Sequence, residues 1–554
     1  MNTKNHTIFE LNMSDDYVIR SPKRDYEIPD TSVGAFVAKV LAQLDSQTKC
    51  IVNAIDGSQL TVKGLTTKCQ SIAWALIKRG ITKSDTILTF AENSTELAVV
   101  MFAAMFLGVT LYPITPIANV YELDQLMDTL GPLFVFTSTA KSAVIENIIR
   151  KRTNERQMVR FVSVLDNNHN IYVPYERLLD EGSGHTLDAI PYFAVKPKKD
   201  IAILMQSSGT SGVPKSVMIS HKAFVATLTS FIKPNDDGAG KSAPVSYQMT
   251  QFSCMSGLTV LFGYAISGVT QVIADETDDQ SVLKAIETFR VNFLGIVPAF
   301  GHKLICGQFV DTYDLSSLKA LLASGASFPA NVGKQIIQKY RVPLLEVYGM
   351  TEYGALTAPD LGTAEYIPGC VGRPADNTLL KVIDCSGKSV GPDVDGEICV
   401  KGPKLFSGYL NNVLATNEAI DDNGWLRTGD IGHYDRQHRF YITDRVKELI
   451  KFGTKQVSPA ELEQFLLTHE SVAEAVVVGV PHRTQTQWPR AYVRLKTNKV
   501  VDEEELKSFV SDSLSDSKQL RAGVVFVDHI RRTTVGKVER RYYRQLVANE
   551  LIED

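Results

Sequence analysis

Apolar residues along most of the 554-residue chain follow two alternating spacings. Residues 33–44 repeat apolar positions at helical intervals, whereas the short apolar runs at Thr86–Phe90 and 134–137 are typical of buried strands. This alternation predicts α/β layers built on largely parallel sheets. The first 30 residues are mostly polar, and we expect them to form an irregular arm.

The most apolar stretch, residues 97–111, has the sequence LAVVMFAAMFLGVTL. It falls short of the roughly 20 residues that a transmembrane helix needs. Gly108 is typical of a helix end, so the pattern predicts a buried helix followed by a strand at 109–112.

Glycine and proline become more frequent from residue 362 to residue 408, around the short runs LLKVID and GEICVKG. Such punctuation predicts a small, more antiparallel β region. From residue 458 the helical run AELEQFLLTH and the strand-like run AEAVVVGVP begin a new α+β pattern. We therefore expect a separate C-terminal unit, with the joint near residues 444–447.

The composition is that of an ordinary globular protein, with 44% apolar residues, 22% charged residues and a net charge of −4. It excludes a disordered chain, a coiled coil and a collagen-like rod. An isoelectric point near 6.2 gives no overall basic field, which argues against a general nucleic-acid binder. The seven cysteines include no CxxC pair, so we expect neither a disulfide framework nor a zinc ribbon, and a reducing compartment.

The two chain ends bear on location. The first residues lack the basic start and apolar core of a secretory signal, and the final Leu-Ile-Glu-Asp matches no peroxisomal or endoplasmic-reticulum address. We expect a cytoplasmic protein, and association with an organelle stays open.

The sharpest local motif is SSGTSGVPK, from Ser207 to Lys215, directly after the apolar run IAILM. Small hydroxyl residues and glycines let backbone N–H groups approach a polyanion, and Lys215 adds a positive charge. The motif differs from a Walker A loop because Pro214 stands before the lysine. A flexible Ser/Gly turn is the alternative, but the preceding strand and the Pro-Lys end favour a phosphate loop.

A second motif, VYGMTEYG, lies at the end of the apolar run 342–347. Tyr348 offers a flat face to a nucleotide base, and Thr351 can donate to a phosphate oxygen. Glu352 can hold Mg²⁺ against a triphosphate. Taken alone, the motif is also compatible with an ordinary turn.

Two further motifs lie nearer the C-terminus. In GWLRTGD, Asp430 follows Thr-Gly and could accept both hydroxyls of a ribose, whereas the following DRVKELIK segment is by itself typical of a charged surface. TVGKVERR carries Lys537, and its arginine-rich surroundings alone indicate a basic surface. The arginines concerned are Arg531, Arg532, Arg540 and Arg541.

Three apparent motifs are discarded. The run DVDGE at 393–397 lacks a full calcium loop, so we expect a turn before a strand. His433 and His438 have no neighbouring cysteine or histidine group, which argues against a metal site. The chain contains no GxSxG, so an α/β-hydrolase is unsupported.

Together and in this order, the motifs resemble those of the adenylate-forming superfamily, in particular its acyl-CoA synthetase, 4-coumarate–CoA ligase and beetle-luciferase branch. The resemblance runs from about residue 30 to the end. It implies an α/β fold: a large N-terminal domain of two α/β subdomains plus a small β-barrel, and a small mobile α+β C-terminal domain. We expect an AMP-binding (adenylation) domain at residues 1–444 and a C-terminal domain of AMP-binding enzymes at 445–554.

The resemblance also implies roles for the nucleotide-binding residues. Tyr348 would lie against adenine, Thr351 would contact phosphate, and Glu352 would bind Mg²⁺. Asp430 would bind ribose beside Arg445. The loop that would hold the ATP β- and γ-phosphates comprises Ser207, Ser208, Gly209, Thr210, Ser211, Gly212 and Lys215.

Two lysines are assigned to different steps by the resemblance. Lys537 would serve adenylation at the nucleotide, and Lys451 would serve thioester formation. Rotation of the C-terminal domain about residues 444–447 would exchange them. Gln456 matches a family glutamine near the hinge, without an assigned role.

Positions that match the family's acid pocket are mostly apolar or small, which favours an aliphatic or aryl carboxylic acid. They are Cys254, Ser256, Val260, Gly325, Ala326, Met350, Ala355 and Leu356. Cys254 stands where the family has a histidine, and the bulk of Phe328 in SGASFP is expected to reshape the pocket. Residues 451–457, KFGTKQV, differ from the relatives' KYKGYQV in a loop near the expected thiol tunnel, and Ser216 replaces a common glycine.

We therefore expect an ATP-dependent carboxylic acid–CoA ligase that forms an acyl-AMP and then a CoA thioester. ATP, Mg²⁺ and coenzyme A would be its cofactor and co-substrates, and no nucleic acid or membrane-spanning segment is expected. Two alternatives stay open: an adenylating enzyme with a non-CoA acceptor, and a catalytically silent nucleotide-binding protein. The identity and chain length of the acid and the oligomeric state stay open too.

Overall fold

The computed structural model comprises two units. The larger unit contains Arg24–Gly369 and Gly402–Ile420, and the smaller unit contains Met1–Lys23, Cys370–Lys401 and Asp421–Asp554. The structure describes residues 17–21, 26–118, 120–131, 133–151, 159–166, 171–185, 192–207, 215–232, 243–274, 278–307, 309–325, 328, 330–359, 366–445, 448–452, 455–482, 486–514, 516–532 and 537–553. Of these, residues 299, 451, 455, 456, 486 and 551–553 are described by their backbone only.

Two mostly parallel sheets form the framework of the larger unit. The first has the spatial order Gly408–Tyr409, Ser216–Ser220, Ile201–Gln206, Thr110–Ile114, Thr86–Phe90, Leu133–Thr137, Val159–Val164, Val173–Pro174. The second has the order Leu344–Val347, Ala320–Ser324, Phe293–Ile296, Val245–Tyr247, Thr270–Ile273, Lys49–Asn53, Gln59–Thr61. Within these two sheets, the described strand pairs are parallel except at two ends. Antiparallel pairs lie at the Gly408 end of the first sheet and at the Gln59 end of the second.

Helices cover these sheets because each parallel connection needs a crossover. They are Val33–Leu41, Val62–Lys78, Thr95–Leu107, Val120–Asp128, Thr139–Lys151, Tyr175–Gly182, His221–Thr229, Met255–Ile266, Asp279–Phe289, Pro298–Cys306, Ala330–Tyr340 and Val413–Ala419, with a 3₁₀ turn at Val310–Thr312. Short strands Gly349–Met350 and Gly354–Ala355 form a hairpin, followed by Thr357–Ala358.

Helix Thr95–Leu107 lies in the core of the larger unit, and its residues from Leu97 onward are buried. It packs against Thr110–Ile114 of the first sheet and Lys49–Asn53 of the second, which explains why it is apolar on every side. Gly108 ends it in the left-handed region with φ +75°. The predicted buried helix is confirmed.

The smaller unit contains an antiparallel sheet and an α+β region. The sheet has the order Ile19–Arg20, Leu379–Ile383, Gly396–Lys401, Leu426–Tyr434, Phe440–Arg445, Cys370–Pro374. The α+β region contains strands Ile450–Phe452, Lys455–Val457, Val472–His482, Thr486–Leu495 and Val524–Phe526, helices Pro459–Leu466, Glu503–Ser511 and Arg540–Glu553, and a 3₁₀ turn at Asp516–Lys518. A domain boundary after residue 444 stays a prediction.

The predicted alternation of helices and parallel strands is confirmed, with small shifts at element ends. The helix expected at 33–44 ends at Leu41, and the strand expected at 109–112 is Thr110–Ile114. The structure departs from two expectations. Within the expected irregular arm, Ile19–Arg20 forms a short strand that pairs antiparallel with Leu379–Ile383 at the end of the sheet, and part of the expected 451–457 loop forms two antiparallel strands.

Candidate active site

Two neighbouring parallel strands of the larger unit end side by side at the candidate site. Ser324, the last residue of Ala320–Ser324, is paired in register with Val347, the last residue of Leu344–Val347. Gly325 and Tyr348 therefore follow at the same carboxyl edge. Ligands of α/β sheets bind at this edge, and the φ of +86° at Gly325 suits a glycine at the turn.

The VYGMTEYG motif forms a tight hairpin at this edge. Tyr348 accepts hydrogen bonds from Leu356 N (3.0 Å) and Thr357 N (3.2 Å) through its carbonyl oxygen. A Cβ on Gly349 would come within 2.7 Å of the Gly354 carbonyl oxygen, so the strands approach closely only because glycine is present. The hairpin brings together the predicted residues Tyr348, Met350, Thr351, Glu352, Ala355 and Leu356.

Glu352 is a buried carboxylate at the turn of this hairpin. Its Oε1 accepts a hydrogen bond from the Tyr409 hydroxyl at 2.9 Å, and Lys215 Nζ lies 4.8 Å from the centroid of the Tyr409 ring. Burial, together with the Glu352 charge, raises the pKa of Tyr409, so this phenol keeps its proton and donates. Tyr409 thus links the lysine of one predicted motif to the carboxylate of another.

The SSGTSGVPK motif connects two antiparallel strands, Ile201–Gln206 and Ser216–Ser220. Ser207 N donates to the Lys215 carbonyl oxygen at 2.9 Å and closes the base of the loop. Ser216 is hydrogen-bonded to the Tyr112 hydroxyl at 2.6 Å, which fixes the strand after the lysine. Ser208, Gly209, Thr210, Ser211 and Gly212 lie outside the described residues.

Cys254 is the N-cap of helix Met255–Ile266, which carries two other predicted pocket residues. Its Sγ accepts a hydrogen bond from Gly257 N at 3.4 Å and donates to the Gln251 carbonyl oxygen at 3.0 Å. Ser256 and Val260 are four positions apart and share one helical face. A Cβ on Gly354 would lie 3.7 Å from Met255 Cε, which places the start of the helix against the VYGMTEYG hairpin.

The segment after Gly325 differs from expectation in one respect. Phe328 is 3% exposed and belongs to the core beneath the sheet, where a Cβ on Gly301 would come within 2.4 Å of its ring. Its bulk therefore fills the core rather than an open pocket. Ala326 lies outside the described residues.

Glu346 is a buried carboxylate near the candidate site that the sequence reasoning missed. It is 7% exposed, on strand Leu344–Val347 two residues before Tyr348, and accepts a hydrogen bond from the Tyr366 hydroxyl at 3.2 Å. Burial raises its pKa to about 7 despite further hydrogen bonds from the backbone of Phe328 and Gly369. The sequence feature that could have identified it is a single acidic residue inside the apolar strand run 342–347. For Tyr409, 57 residues from Glu352, the chain offered none.

In the smaller unit, Asp430 and Arg445 are cross-strand partners, and Arg445 Nε lies 2.9 Å from Asp430 Oδ1. Asp430 is 4% exposed. Gly429 precedes it with φ +71° and donates its N–H to Glu397 Oε1 at 3.1 Å. This turn within the strand aims the carboxylate, as the predicted Thr-Gly-Asp motif requires.

The two predicted lysines also lie in the smaller unit. Lys537 is half-buried and directly precedes Val538, which forms an isolated antiparallel bridge with Arg532. Lys451 is on strand Ile450–Phe452, paired in register with Gln456. The side chains of Lys451 and Gln456 lie outside the described part of the chain.

The residues present fit a magnesium ion that arrives with a nucleotide triphosphate. Thr351 and Glu352 offer a hydroxyl and a carboxylate, the hard oxygen donors that Mg²⁺ prefers, and substrate phosphates and water usually complete its shell. Among the residues that the structure describes, no group of three or more His, Cys, Asp or Glu side chains gathers as a metal cage. Within the same ranges, no helix has both the length and the apolar character that crossing a bilayer requires.

Comparison with known proteins covers both units. The family model described as AMP-binding enzyme matches residues 41–410, and the AMP-binding enzyme C-terminal domain matches residues 461–537. Luciferin 4-monooxygenase of Nipponoluciola cruciata is 31% identical over 546 residues, covering 96% of this chain and 98% of the relative. 4-Coumarate–CoA ligase 2 of Oryza sativa subsp. japonica is 31% identical over 559 residues, covering 96% and 95%.

A solved structure shows the same fold. The crystal structure of ATP-bound MatB from Rhodopseudomonas palustris has a TM-score of 0.82 at 23% identity, covering 93% of this chain and 99% of that chain. The fold, the ordered motifs and the two family matches agree along nearly the whole sequence. The chain therefore belongs to the AMP-binding enzyme family of the adenylate-forming superfamily.

Proposed function

We propose that this protein is an ATP-dependent carboxylic acid–CoA ligase, which forms an acyl-AMP and then an acyl-CoA thioester. The arrangement of Lys215, Tyr409 and Glu352 carries the first half of the proposal. It sets a cation and a buried carboxylate beside the loop between Ile201–Gln206 and Ser216–Ser220. A triphosphate needs such a pair, because the cation meets phosphate oxygens directly and the carboxylate meets them through a metal ion.

In the first step a carboxylate oxygen of the acid attacks the α-phosphorus of ATP, and the bond to pyrophosphate breaks. Tyr348 would lie against adenine, and Asp430 with Arg445 would hold the ribose. Lys537 would neutralise the charge that collects between the carboxylate and the α-phosphate. Bound Mg²⁺ would offset charge on the phosphates at Glu352 and Thr351.

In the second step a thiol attacks the acyl carbonyl and AMP leaves. Lys451 would serve this step after the C-terminal domain, residues 445–554, turns about residues 444–447 and withdraws Lys537. The acid would lie among Val260, Met350, Ala355 and Leu356, whose apolar side chains suit an aliphatic or aryl chain.

The acceptor is the finer part of the proposal. The 4-coumarate–CoA ligase relatives support coenzyme A. The luciferin 4-monooxygenase relatives, of similar identity, favour a second candidate in which the adenylate reacts with a non-CoA acceptor. Cys254 at the family's histidine position and the altered 451–457 segment are the features of this chain that bear on the choice. We also propose a reducing compartment such as the cytoplasm, which the seven free cysteines support.

A panel of aliphatic and aryl acids tests the proposal. We expect acid-dependent release of pyrophosphate and AMP, with acyl-CoA detected by mass spectrometry when coenzyme A is present. Lys537→Ala should lose the first step but still convert a synthetic acyl-adenylate into thioester, whereas Lys499→Ala, at an exposed surface lysine, should behave as wild type. No acid-dependent AMP would contradict adenylation, and AMP without acyl-CoA would favour the second candidate.

A further inference from the structure

A buried arginine near the C-terminus is enclosed by carboxylates of the smaller unit. The side chain of Arg540 is 13% exposed, and its Nη2 donates to Glu463 Oε2 at 2.5 Å. Its Nε lies 3.2 Å from Glu448 Oε2, a contact of charges rather than an aligned hydrogen bond. Glu463, Glu448 and Asp444 all raise the pKa of Arg540 and keep it charged against the opposing effect of burial.

These carboxylates come from the segment where we place the hinge and from the helix that follows it. Asp444 and Glu448 flank residues 446–447, and Asp444 accepts hydrogen bonds from the Ser458 hydroxyl and from Ala460 N at 3.3 Å. Glu463, on helix Pro459–Leu466, also accepts from Val477 N at 2.7 Å. The network therefore fastens the 444–448 segment to the α+β region.

Arg540 also begins helix Arg540–Glu553, three residues after Lys537. Between the lysine and the arginine, Glu539 N donates to the Arg531 carbonyl oxygen at 3.0 Å, and Val538 forms an isolated antiparallel bridge with Arg532. The three residues that follow Lys537 are thus held by the bridge to Arg532, by the hydrogen bond to Arg531 and by the Arg540 guanidinium. Arg541, the next residue, is exposed.

A buried arginine needs a reason, because removing a guanidinium from water costs several kcal/mol unless it is well paired. A methionine could fill the same space without that cost. The arginine fork, by contrast, can hold carboxylates from two separate segments in one geometry. Because Arg540 lies three residues after Lys537, the geometry that it fixes also constrains the backbone that carries the lysine.

We propose that Arg540 is a positioning residue that couples the 444–448 segment to Lys537 and so sets the lysine for adenylation. The inference rests on the proposed function, in which Lys537 serves the first step and the hinge turns before the second. An arginine with a purely structural role would affect both steps alike, since both use the same folded unit.

The test compares Arg540→Met and Arg540→Lys with Arg541→Met as the matched control. Pyrophosphate release reports the first step, and thioester formation from a synthetic acyl-adenylate reports the second. We expect Arg540→Met to slow the first step by about 30-fold or more and the second by less than about threefold. Arg540→Lys should lie between it and wild type, and Arg541→Met should stay within about twofold of wild type.

A second comparison asks whether Arg540 acts through the lysine. If it does, the double variant Arg540→Met/Lys537→Ala should be no slower in the first step than Lys537→Ala alone. Equal loss in both steps, or a double variant slower by the product of the single effects, would overturn the inference.

Arg540→Lys keeps the inference testable if Arg540→Met does not fold. A folded Arg540→Lys enzyme with wild-type adenylation would overturn it, whereas selective loss of the first step would support it. A wild-type enzyme without acid-dependent pyrophosphate release would instead overturn the proposed function, and the inference with it, before any variant is compared.

Discussion

Arg445 and Asp430 face each other across two antiparallel strands, with Arg445 Nε 2.9 Å from Asp430 Oδ1. The Asp430 side chain is 6% exposed and the Arg445 side chain 41% exposed, so a solvent-facing cation holds a buried anion. A carboxylate held in this way has given up part of its freedom before a ligand arrives. That preorganisation lowers the entropy cost of binding a ribose.

Asp430→Asn tests this carboxylate. Asparagine keeps the size of the side chain but removes the charge that strengthens its hydrogen bonds to ribose hydroxyls. Because a hydrogen bond to a charged group is worth about 1.5–3 kcal/mol, we expect the KM for ATP to rise by about tenfold or more, with the KM for the acid little changed. Steady-state pyrophosphate release measures both constants.

Asp435→Asn is the control, because Asp435 belongs to the same unit and pairs with Arg439 at 2.7 Å in a turn of the same sheet. It removes an ion pair of similar geometry away from the predicted ribose contact. Equal changes in the KM for ATP in both variants would contradict a ribose-binding role for Asp430.

Tyr409→Phe tests the link between the phosphate loop and Glu352. Phenylalanine keeps the ring beneath Lys215 but removes the hydroxyl that donates to Glu352 at 2.9 Å. We expect the Mg²⁺ concentration for half-maximal activity to rise by about three- to tenfold, since one hydrogen bond to a charged group orients the carboxylate. A Mg²⁺ titration at fixed ATP measures it.

Tyr340→Phe provides the comparison, because that hydroxyl donates at 2.7 Å to a backbone carbonyl, Leu304 O, in the same unit. Its Mg²⁺ dependence should match that of wild type. An unchanged Mg²⁺ dependence in Tyr409→Phe would show that the phenol does not orient Glu352.

Local pattern predicted the framework and the motif-bearing turns. Strand Thr86–Phe90 has the predicted bounds, and the buried helix before Gly108 was identified from apolar residues alone. Such elements are fixed by periodicity and turn residues, which the chain displays directly. The hairpin within residues 451–457 was missed because its strands are too short to show a period.

Contacts between distant segments could not be predicted in the same way. Tyr409 meets Glu352 because strand Gly408–Tyr409 pairs with Ser216–Ser220, a tertiary event with no local signal. Arg540 was grouped with a basic surface, since burial of one arginine among four depends on distant carboxylates, of which Glu463 lies 77 positions away. Geometry of this kind follows from the assembled fold.

We expect protonation of His221 to destabilise the folded protein at acidic pH. It is fully buried, its Nδ1 accepts a hydrogen bond from Val33 N at 3.2 Å, and burial lowers its pKa from 6.5 to about 4. Between these values the unfolded chain binds the proton and the native protein does not. The contribution of His221 to the free energy of unfolding is therefore fully present above about pH 6.5. It falls by up to about 3 kcal/mol as the pH approaches 4.

His221→Gln removes this titration. We expect the variant to melt at a lower temperature than wild type at pH 7, because a buried contact is changed. Its melting temperature should nevertheless fall less than that of wild type between pH 7 and pH 4.5. Parallel decreases in the two proteins would show that another group controls acid unfolding.

We expect ionisation of Glu346 to have the opposite pH dependence, destabilising the folded protein as the pH rises towards neutral. Burial raises its pKa from 4.5 to about 7, so the native protein keeps a proton that the unfolded chain has lost. Stability from this group is fully present below about pH 4.5 and falls by up to about 3 kcal/mol as the pH rises through 7. Tyr366, whose hydroxyl lies 3.2 Å from Glu346 Oε1, is the titratable group in contact with it.

Glu346→Gln replaces the titrating carboxyl with a permanently neutral amide of the same size, which can still accept from Tyr366. We expect its melting temperature to exceed that of wild type at pH 8 and the difference to shrink towards pH 5. The exposed Glu418→Gln, in the same unit, controls for removal of one negative charge. A Glu346→Gln advantage that is equal at both pH values, or matched by Glu418→Gln, would show that Glu346 is not protonated in the native protein at pH 5–7.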